Sequence, residues 1–157
     1  MQAKVYEYLL THAPQILICE DDKEAALCAD AASFAGFSAF KLPDFRAKKG
    51  DDLRSFNEEL FEISSVLSKY YKFDGKKIII SPFSTLLNPL PTQKNLESST
   101  IKLKDNLNLN EFADLLIRFG YECVDIVESV GEFSIRGEVI DIYGVNMDDP
   151  VRILLFG

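Results

Sequence analysis

The sequence predicts an α/β chain in two parts: a parallel-sheet domain, followed by part of a small α+β domain with antiparallel strands. In residues 1 to about 90, short apolar runs alternate with segments of helical periodicity, which is typical of βαβ units. Residues 89–100 are rich in Pro, Asn, Ser and Thr, as a domain crossing often is. After residue 101, one amphipathic helix precedes strands whose turns are too short for crossover helices. We therefore expect domains at residues 1–98 and 99–157.

Three apolar runs predict the strands of the first domain. They cover residues 15–19, 37–42 and 76–81, and the first and third read as buried strands. Between the second and third runs, apolar residues recur at steps of three and four from Leu53 to Tyr70. A coiled-coil seam has the same spacing, but this pattern stops after about 20 residues. It therefore favours a single core-facing helix.

A helix is also predicted between the first two strands. Asp21 followed by Glu24 gives it an acidic first turn, which suits the positive end of the helix dipole. Gly36 stands where a C-terminal cap belongs. The positions i, i+4 and i+7 predict that its core face carries Leu27, Ala31 and Phe34.

The second domain begins with a helix and ends with strands. Asn108 and Glu111 can form a capping pair for the helix, and Gly120 ends it. Along the middle strand, the alternating apolar residues change from odd-numbered to even-numbered positions near Gly137, which indicates a β-bulge. We expect the strands to pair antiparallel and to cover residues 121–129, 132–143 and 151–156.

Composition excludes several classes of function. The chain has 157 residues, 47% of them apolar and 27% charged, with a net charge of −8, which argues against gripping a phosphate backbone. No apolar run is long enough to span a membrane. Three cysteines without CxxC spacing indicate buried, reduced thiols in a cytosolic protein. With one histidine, the chain has almost no side chains for a His-rich zinc site or a standard Ser-His-Asp triad.

The last predicted strand carries a candidate binding patch. Because side chains alternate along a strand, Arg152 and Phe156 share one face, while Val151, Ile153 and Leu155 share the other. Arginine beside an aromatic residue is a common composition of binding surfaces. The alternative is an ordinary two-sided strand whose arginine extends its charge into water.

Catalytic patterns are not found. A P-loop needs GxxxxGK[ST] between a strand and a helix, whereas Gly75-Lys76 has no such glycine before it and enters a strand. Residues 16–22 resemble the acidic start of a receiver domain, but the third strand ends in Ser81-Pro82 rather than in an aspartate. Adjacent carboxylate pairs point apart on a helix or strand and do not converge on a substrate. We expect no enzymatic activity in this chain.

Several motifs together resemble a known family. The run G-E-F-S-I-R-G-E-V-I-D-I-Y, followed after a gap by P-V-R-I-L-L-F-G, resembles the UvrB-like module of bacterial nucleotide excision repair. The preceding N-L-N-E-F-A-D-L-L-I-R-F-G-Y-E-C-V-D-I-V-E and the earlier I-I-I-S-P-F-S-T-L-L fit the same module. It occurs in UvrB and at the N-terminus of Mfd, the transcription-repair coupling factor. Since no P-loop motif is present, the resemblance favours the Mfd type.

The resemblance implies a fold and a site. It implies a P-loop-NTPase-like helicase domain that has lost its P-loop, followed by a domain that engages UvrA. The contact positions of the family correspond here to Arg136 of F-x-x-R-G, and to Arg152 and Phe156 of the last strand. The implied function is non-catalytic recruitment of UvrA to stalled transcription sites. An alternative is the N-terminal piece of a UvrB-type ATP-dependent repair helicase.

The resemblance also implies a larger parent. That protein would be a bacterial cytoplasmic, ATP-dependent DNA translocase that also engages RNA polymerase and double-stranded DNA. ATP and magnesium would serve its motor domains, so we expect no cofactor or metal in this chain. Because the chain stops at Gly157, inside the expected second domain, we expect a truncated fragment. An exposed strand edge would then favour dimerisation.

Overall fold

The computed structural model describes residues 2–98 and 108–155. By contacts the chain divides into two compact units, Met1–Leu96 and Glu97–Gly157. Among the described residues, no helix is both long and apolar enough to cross a membrane.

The first unit alternates helices and strands, as predicted. The apolar run before Glu20 forms the first strand, and Asp21 caps the following helix by accepting a hydrogen bond from the Glu24 N–H. Asp52 caps a short 3-10 turn, Leu53–Phe56, that leads into the long amphipathic helix. The elements are α1 (Gln2–Thr11), β1 (Ile16–Cys19), α2 (Asp22–Phe34), β2 (Ser38–Lys41), α3 (Asn57–Lys72), β3 (Lys77–Pro82), α4 (Phe83–Leu86) and α5 (Gln93–Ser98).

A three-stranded parallel sheet organises the first unit and confirms the predicted α/β class. The strand order is β1-β3-β2. On central β3, Ile78 and Ile80 are fully buried in the cluster that also contains residues of α1 and α2. Ile79 belongs to a second cluster with Ile63 and Leu67 of α3. Because alternate residues of a strand face opposite sides, α2 and α3 cover opposite faces of the sheet.

The predicted core face of α2 is wrong for its two large members. Phe34 is 83% exposed and Leu27 is 37% exposed, although Ala31 is buried. The face that packs inward carries small side chains instead: Ala25, Cys28, Ala31 and Ala32. Small residues allow α1 and the sheet to approach α2 closely, so steric fit rather than hydrophobicity decides which face is buried.

The prediction that β1 is buried is also wrong. Leu17 packs against the α1/α2 cluster and Cys19 belongs to it, but Ile16 and Ile18 are 39% and 59% exposed. The strand lies at the edge of the sheet, and α3 packs instead over Phe40 and Ile79 of the neighbouring strands. An apolar run identifies a strand without showing which of its faces is covered.

The second unit places one helix against a four-stranded sheet. Asn108 caps the helix by accepting hydrogen bonds from the N–H groups of Asn110 and Glu111, which confirms the predicted start. The core combines helix residues with inward residues of the strands: Phe112, Leu116, Phe133, Ile140 and Ile142. The four strands lie in the sheet in the order β4-β5-β6-β7. The elements of this unit are α6 (Leu109–Arg118), β4 (Glu122–Cys123), β5 (Glu132–Arg136), β6 (Val139–Ile142) and β7 (Val151–Leu154).

The single middle strand expected at residues 132–143 is instead the hairpin β5–β6. Arg136 pairs with Val139, so Gly137 and Glu138 form a two-residue turn and not a β-bulge. Gly137 has φ +60°, and no described non-glycine residue has a positive φ, which fits a type II′ turn. A turn of this kind reverses the chain and therefore shifts the apolar phase, which also explains the pattern that suggested a bulge.

The antiparallel pairing is confirmed for β5, β6 and β7 but is wrong for β4. Only two residues of the expected 121–129 strand are extended, and they pair parallel with the start of β5. The loop between them returns the chain in a tight path. The Glu132 carboxylate accepts hydrogen bonds from the N–H groups of Glu128 and Ser129, at 2.7 and 2.8 Å, and Gly131 has φ +90°. Turn chemistry, rather than strand propensity, decides the conformation there.

We predict that Gly137→Ala destabilises the second unit by about 1 kcal/mol or more, because an L side chain is strained at positive φ. A Cβ at this position would meet no atom within 4 Å, so the cost is purely conformational. Gly137→Asn should cost less, since asparagine tolerates such turns. Urea unfolding of both variants measures the difference. Equal stabilities of Gly137→Ala and the parent chain would contradict the assigned turn.

Candidate partner-binding site

Arg136 and Arg152 lie on one face of the second sheet. Arg152 on β7 is directly opposite Asp141 on β6, which is opposite Ser134 on β5. Arg136 follows Ser134 by two residues and therefore shares its face. The core residues Phe133, Ile140 and Ile142 occupy the other face. The structure thus brings together two of the predicted site residues, while the third, Phe156, lies outside the described residues.

The two arginines border a shallow groove of about 390 Å³. One wall is the loop that follows β4, and its Ile126 is 69% exposed. The other wall is the start of β7. The lining residues, called the groove residues below, are Asp125, Ile126, Val127, Arg136, Asp141, Pro150, Val151 and Arg152.

Arg152 is held by a two-point ion pair with Asp141. Its Nε and Nη2 atoms donate to the two carboxylate oxygens at 2.6 and 2.8 Å. This geometry is the strong, bidentate form of an arginine–carboxylate contact. The hydrogen bond from Arg152 lowers the pKa of Asp141, and the positive charges of Arg152 and Arg136 lower it further. The carboxyl is therefore ionised at neutral pH, and the fork of Arg152 has a fixed orientation.

Arg136 is tied to the opposite wall. Its Nη2 donates to the backbone carbonyl of Asp125, and the Ser134 hydroxyl donates to the same oxygen at 3.4 Å. The end of β5 therefore anchors the loop that carries Ile126. Both arginines remain largely in contact with solvent: Arg136 is exposed, and the side chain of Arg152 is 66% exposed. Two cations and an apolar wall are thus available to a partner.

Sequence reasoning did not find Asp141 or the loop at residues 125–127. Asp141 interrupts the apolar residues of β6, so its side chain must leave the core, but its partner depends on the β6–β7 register. A continuous strand over 132–143 would have hidden that register. The loop was read as strand, which would have placed Ile126 within a sheet rather than at the rim of a groove.

The first unit has a different chemistry at the turn between β1 and α2, where a P-loop would stand. The Glu24 N–H donates to the Asp21 carboxylate at 2.8 Å, and the Glu20 N–H donates to the Glu24 carboxylate at 2.6 Å. Lys41 pairs with Asp22 at 2.6 Å. The Asp21 carboxylate thus occupies one N–H group at the helix N-terminus that a phosphate would use.

Possible metal ligands and thiols are spread across residues 2–98 and 108–155. Among the described residues, no cluster of three or more His, Cys, Asp or Glu side chains could hold a metal ion. Cys19 and Cys28 are buried, as expected, and burial raises the pKa of Cys19 to about 12. A thiol with so high a pKa is a poor nucleophile at neutral pH. Cys123 is exposed, which corrects the expectation that all three thiols are buried, because β4 is too short to be covered on both faces.

The chain is similar to known proteins over most of its length. Residues 100–157 match the family described as the UvrB interaction domain. The transcription-repair-coupling factor of Helicobacter pylori is 44% identical over 137 residues, which is 84% of this chain and 14% of that protein. That of Bacillus subtilis is 38% identical over 81 residues, 50% of this chain and 7% of that protein. That of Myxococcus xanthus is 26% identical over 156 residues, 92% of this chain and 13% of that protein. The chain therefore spans a small part of the length of these curated relatives.

We predict that acid weakens the Asp141–Arg152 pair only at low pH. Because the pKa of Asp141 is lowered in the folded chain, its stabilising contribution is complete above the ordinary carboxyl pKa and is lost as pH falls through the folded value. A ¹³C NMR titration of the Asp141 carboxyl measures this. Arg152→Ala should raise the midpoint toward the ordinary value, whereas Arg118→Ala, at the exposed end of α6, should leave it unchanged. A midpoint that does not respond to Arg152→Ala would contradict the pairing.

Proposed function

We propose that this chain is a module of a transcription-repair-coupling factor, and that this module is non-catalytic and recruits the nucleotide excision repair protein UvrA to stalled transcription sites. The observation that carries the proposal is that Arg136 and Arg152 border one groove in the unit that matches the UvrB interaction domain. We assign partner contacts to these two arginines and to Phe156.

The chemistry of the groove supports a protein partner. Each arginine can donate charge-assisted hydrogen bonds to carboxylates or carbonyl groups of UvrA. Ile126 adds exposed apolar area beside them, and Phe156 would add an aromatic contact. Cations around an apolar centre are typical of protein interfaces, whereas a nucleic-acid backbone would require a denser cluster of Lys and Arg. The net charge of −8 also disfavours nucleic acid as the partner of this chain.

The first unit supports a role without nucleotide chemistry. The turn between β1 and α2 carries Glu20, Asp21, Asp22 and Glu24, whose negative charges would repel phosphate. In the proposed parent, an ATP-dependent DNA translocase of the bacterial cytoplasm, ATP and magnesium would act in motor regions outside this chain. RNA polymerase and double-stranded DNA would also be partners of those other regions. The rival proposal, a UvrB-type ATP-dependent helicase piece, requires nucleotide binding here.

The dimer expected from an exposed strand edge remains a proposal. In the described part of the second sheet, β7 is the last strand in order, so its outer backbone groups form an edge. Sedimentation velocity over a concentration series would measure such association. A constant monomer mass at high concentration would exclude it.

We predict that this chain binds purified UvrA and that Arg152→Ala weakens binding by about 10-fold or more, as truncation of an interface anchor does. Arg136→Ala and Phe156→Ala should each weaken binding as well. Isothermal titration calorimetry measures the dissociation constants, and circular dichroism checks that each variant is folded. The matched control is Arg118→Ala, which removes an exposed arginine of the same unit away from the groove.

Two results would contradict this proposal. If the unsubstituted chain failed to bind UvrA, the assigned function would not belong to this chain. Equal weakening by Arg118→Ala and Arg152→Ala would indicate non-specific charge attraction rather than a groove contact.

We predict that this chain does not bind Mg-ATP, because its strand–helix turn presents carboxylates where phosphate-binding N–H groups are needed. Equilibrium dialysis with labelled ATP and magnesium tests this, with a P-loop ATPase as the positive control. Saturable, magnesium-dependent binding would favour the UvrB-type helicase instead.

A further inference from the structure

We propose that Asp141 is a positioning residue for partner binding, which holds Arg152 so that one edge of its guanidinium faces the groove. The proposal rests on the proposed function, since Arg152 is the residue through which Asp141 acts. Asp141 itself need not contact the partner.

The geometry of the pair defines which edge is presented. A guanidinium group has five N–H donors in a planar fork. Asp141 takes the side formed by Nε and Nη2, with donor–acceptor distances of 2.6 and 2.8 Å. The other edge, formed by Nη1 and Nη2, points away from that contact and can bind a second carboxylate or a pair of carbonyl oxygens. Arg152 can therefore serve Asp141 and a partner at once.

Burial explains why the carboxylate, and not the arginine, sets the orientation. The Asp141 side chain is 22% exposed, whereas that of Arg152 is 66% exposed. Asp141 lies on β6, the strand between β5 and β7, and the residues on either side of it, Ile140 and Ile142, are buried in the core. The carboxylate is thus fixed by the sheet, while the long arginine chain would otherwise sample many rotamers. Fixing that chain before binding removes an entropic cost that the complex would otherwise bear.

The pair also determines the charge of the groove. Its charged side chains are Arg136, Arg152, Asp125 and Asp141, which sum to a formal charge of zero. A neutral groove attracts partners weakly at long range, so recognition depends on the placement of hydrogen-bond donors. A partner segment with an acceptor pair between apolar side chains fits this surface, because Ile126 and Val151 line the same groove.

The test is a double-mutant cycle with purified UvrA, measured by calorimetry on the whole chain. Asp141→Asn should weaken binding by about 2- to 12-fold, the cost of ordering one long side chain. Asp141→Glu keeps the charge but displaces the carboxylate, so it should weaken binding as well. In the Arg152→Ala background, Asp141→Asn should have no further effect. Glu138→Gln, which removes an exposed carboxylate of the neighbouring turn, is the charge-matched control.

A second measurement reports the orientation directly. In the parent chain, ¹⁵N relaxation of the Arg152 Nε–H should show an ordered side chain, and Asp141→Asn should make it mobile while the backbone of β7 stays ordered. A residue that only stabilised the fold would not produce this selective change.

Each outcome separates the two proposals. Normal UvrA binding by a folded Asp141→Asn variant would overturn the positioning role and leave the proposed function intact. Equal weakening by Asp141→Asn in the parent and Arg152→Ala backgrounds would also overturn it, since the effect would not pass through Arg152. Absence of binding by the parent chain would overturn both.

Discussion

The register of β6 between β5 and β7 is the constraint on which the candidate site depends. It places Asp141 opposite Arg152 on one side and opposite Ser134 on the other, with Arg136 two residues further along the same face. Because strand side chains alternate, a slip of one residue would turn Asp141 into the core and an isoleucine toward Arg152. The apolar residues of β6 prevent that slip, since Ile140 and Ile142 are both buried. The packing of the core therefore determines where Asp141 and Arg152 lie on the opposite face of the sheet.

The candidate site also depends on the turn at Gly137. Its positive φ lets two residues reverse the chain, so β6 returns directly beside β5. Arg136 is the last residue before this turn, and its contact with the Asp125 carbonyl ties the turn end of the hairpin to the loop that carries Ile126. The turn thus places Arg136, and the hydrogen bond of Arg136 in turn holds the loop that forms the apolar rim of the groove.

Periodicity predicted the elements of this chain better than their faces. The three parallel strands, the long helix and the cap at Asn108 follow from patterns that depend on neighbouring residues alone. The faces of α2 and β1 depend on what packs against them, so Phe34 and Ile18 were wrongly expected in the core. The hairpin was missed because a phase slip at Gly137 fits either a bulge or a reversal until the pairing is known.

The candidate site was predictable only in part for the same reason. Alternation and family resemblance identified Arg136 and Arg152, each from its own strand. That they border one groove depends on β6, which lies between them in space. Asp141 was missed because an ion pair between adjacent strands leaves no signal in the spacing of either strand. A site built across a sheet becomes visible in sequence only when the register is already known.

The two units place their charged side chains differently. The first has the parallel β–α–β architecture common to nucleotide-binding domains. At the start of α2, however, nearby carboxylates accept the hydrogen bonds of backbone N–H groups. The proposed partner contacts lie in the second unit, where a sheet rather than a loop places the arginines. Side chains on strands are held more precisely than side chains on loops, and precise placement matters most where the net charge of the groove is zero. The recognition proposed for this groove would therefore depend on the fixed direction of a few hydrogen bonds more than on attraction between opposite charges.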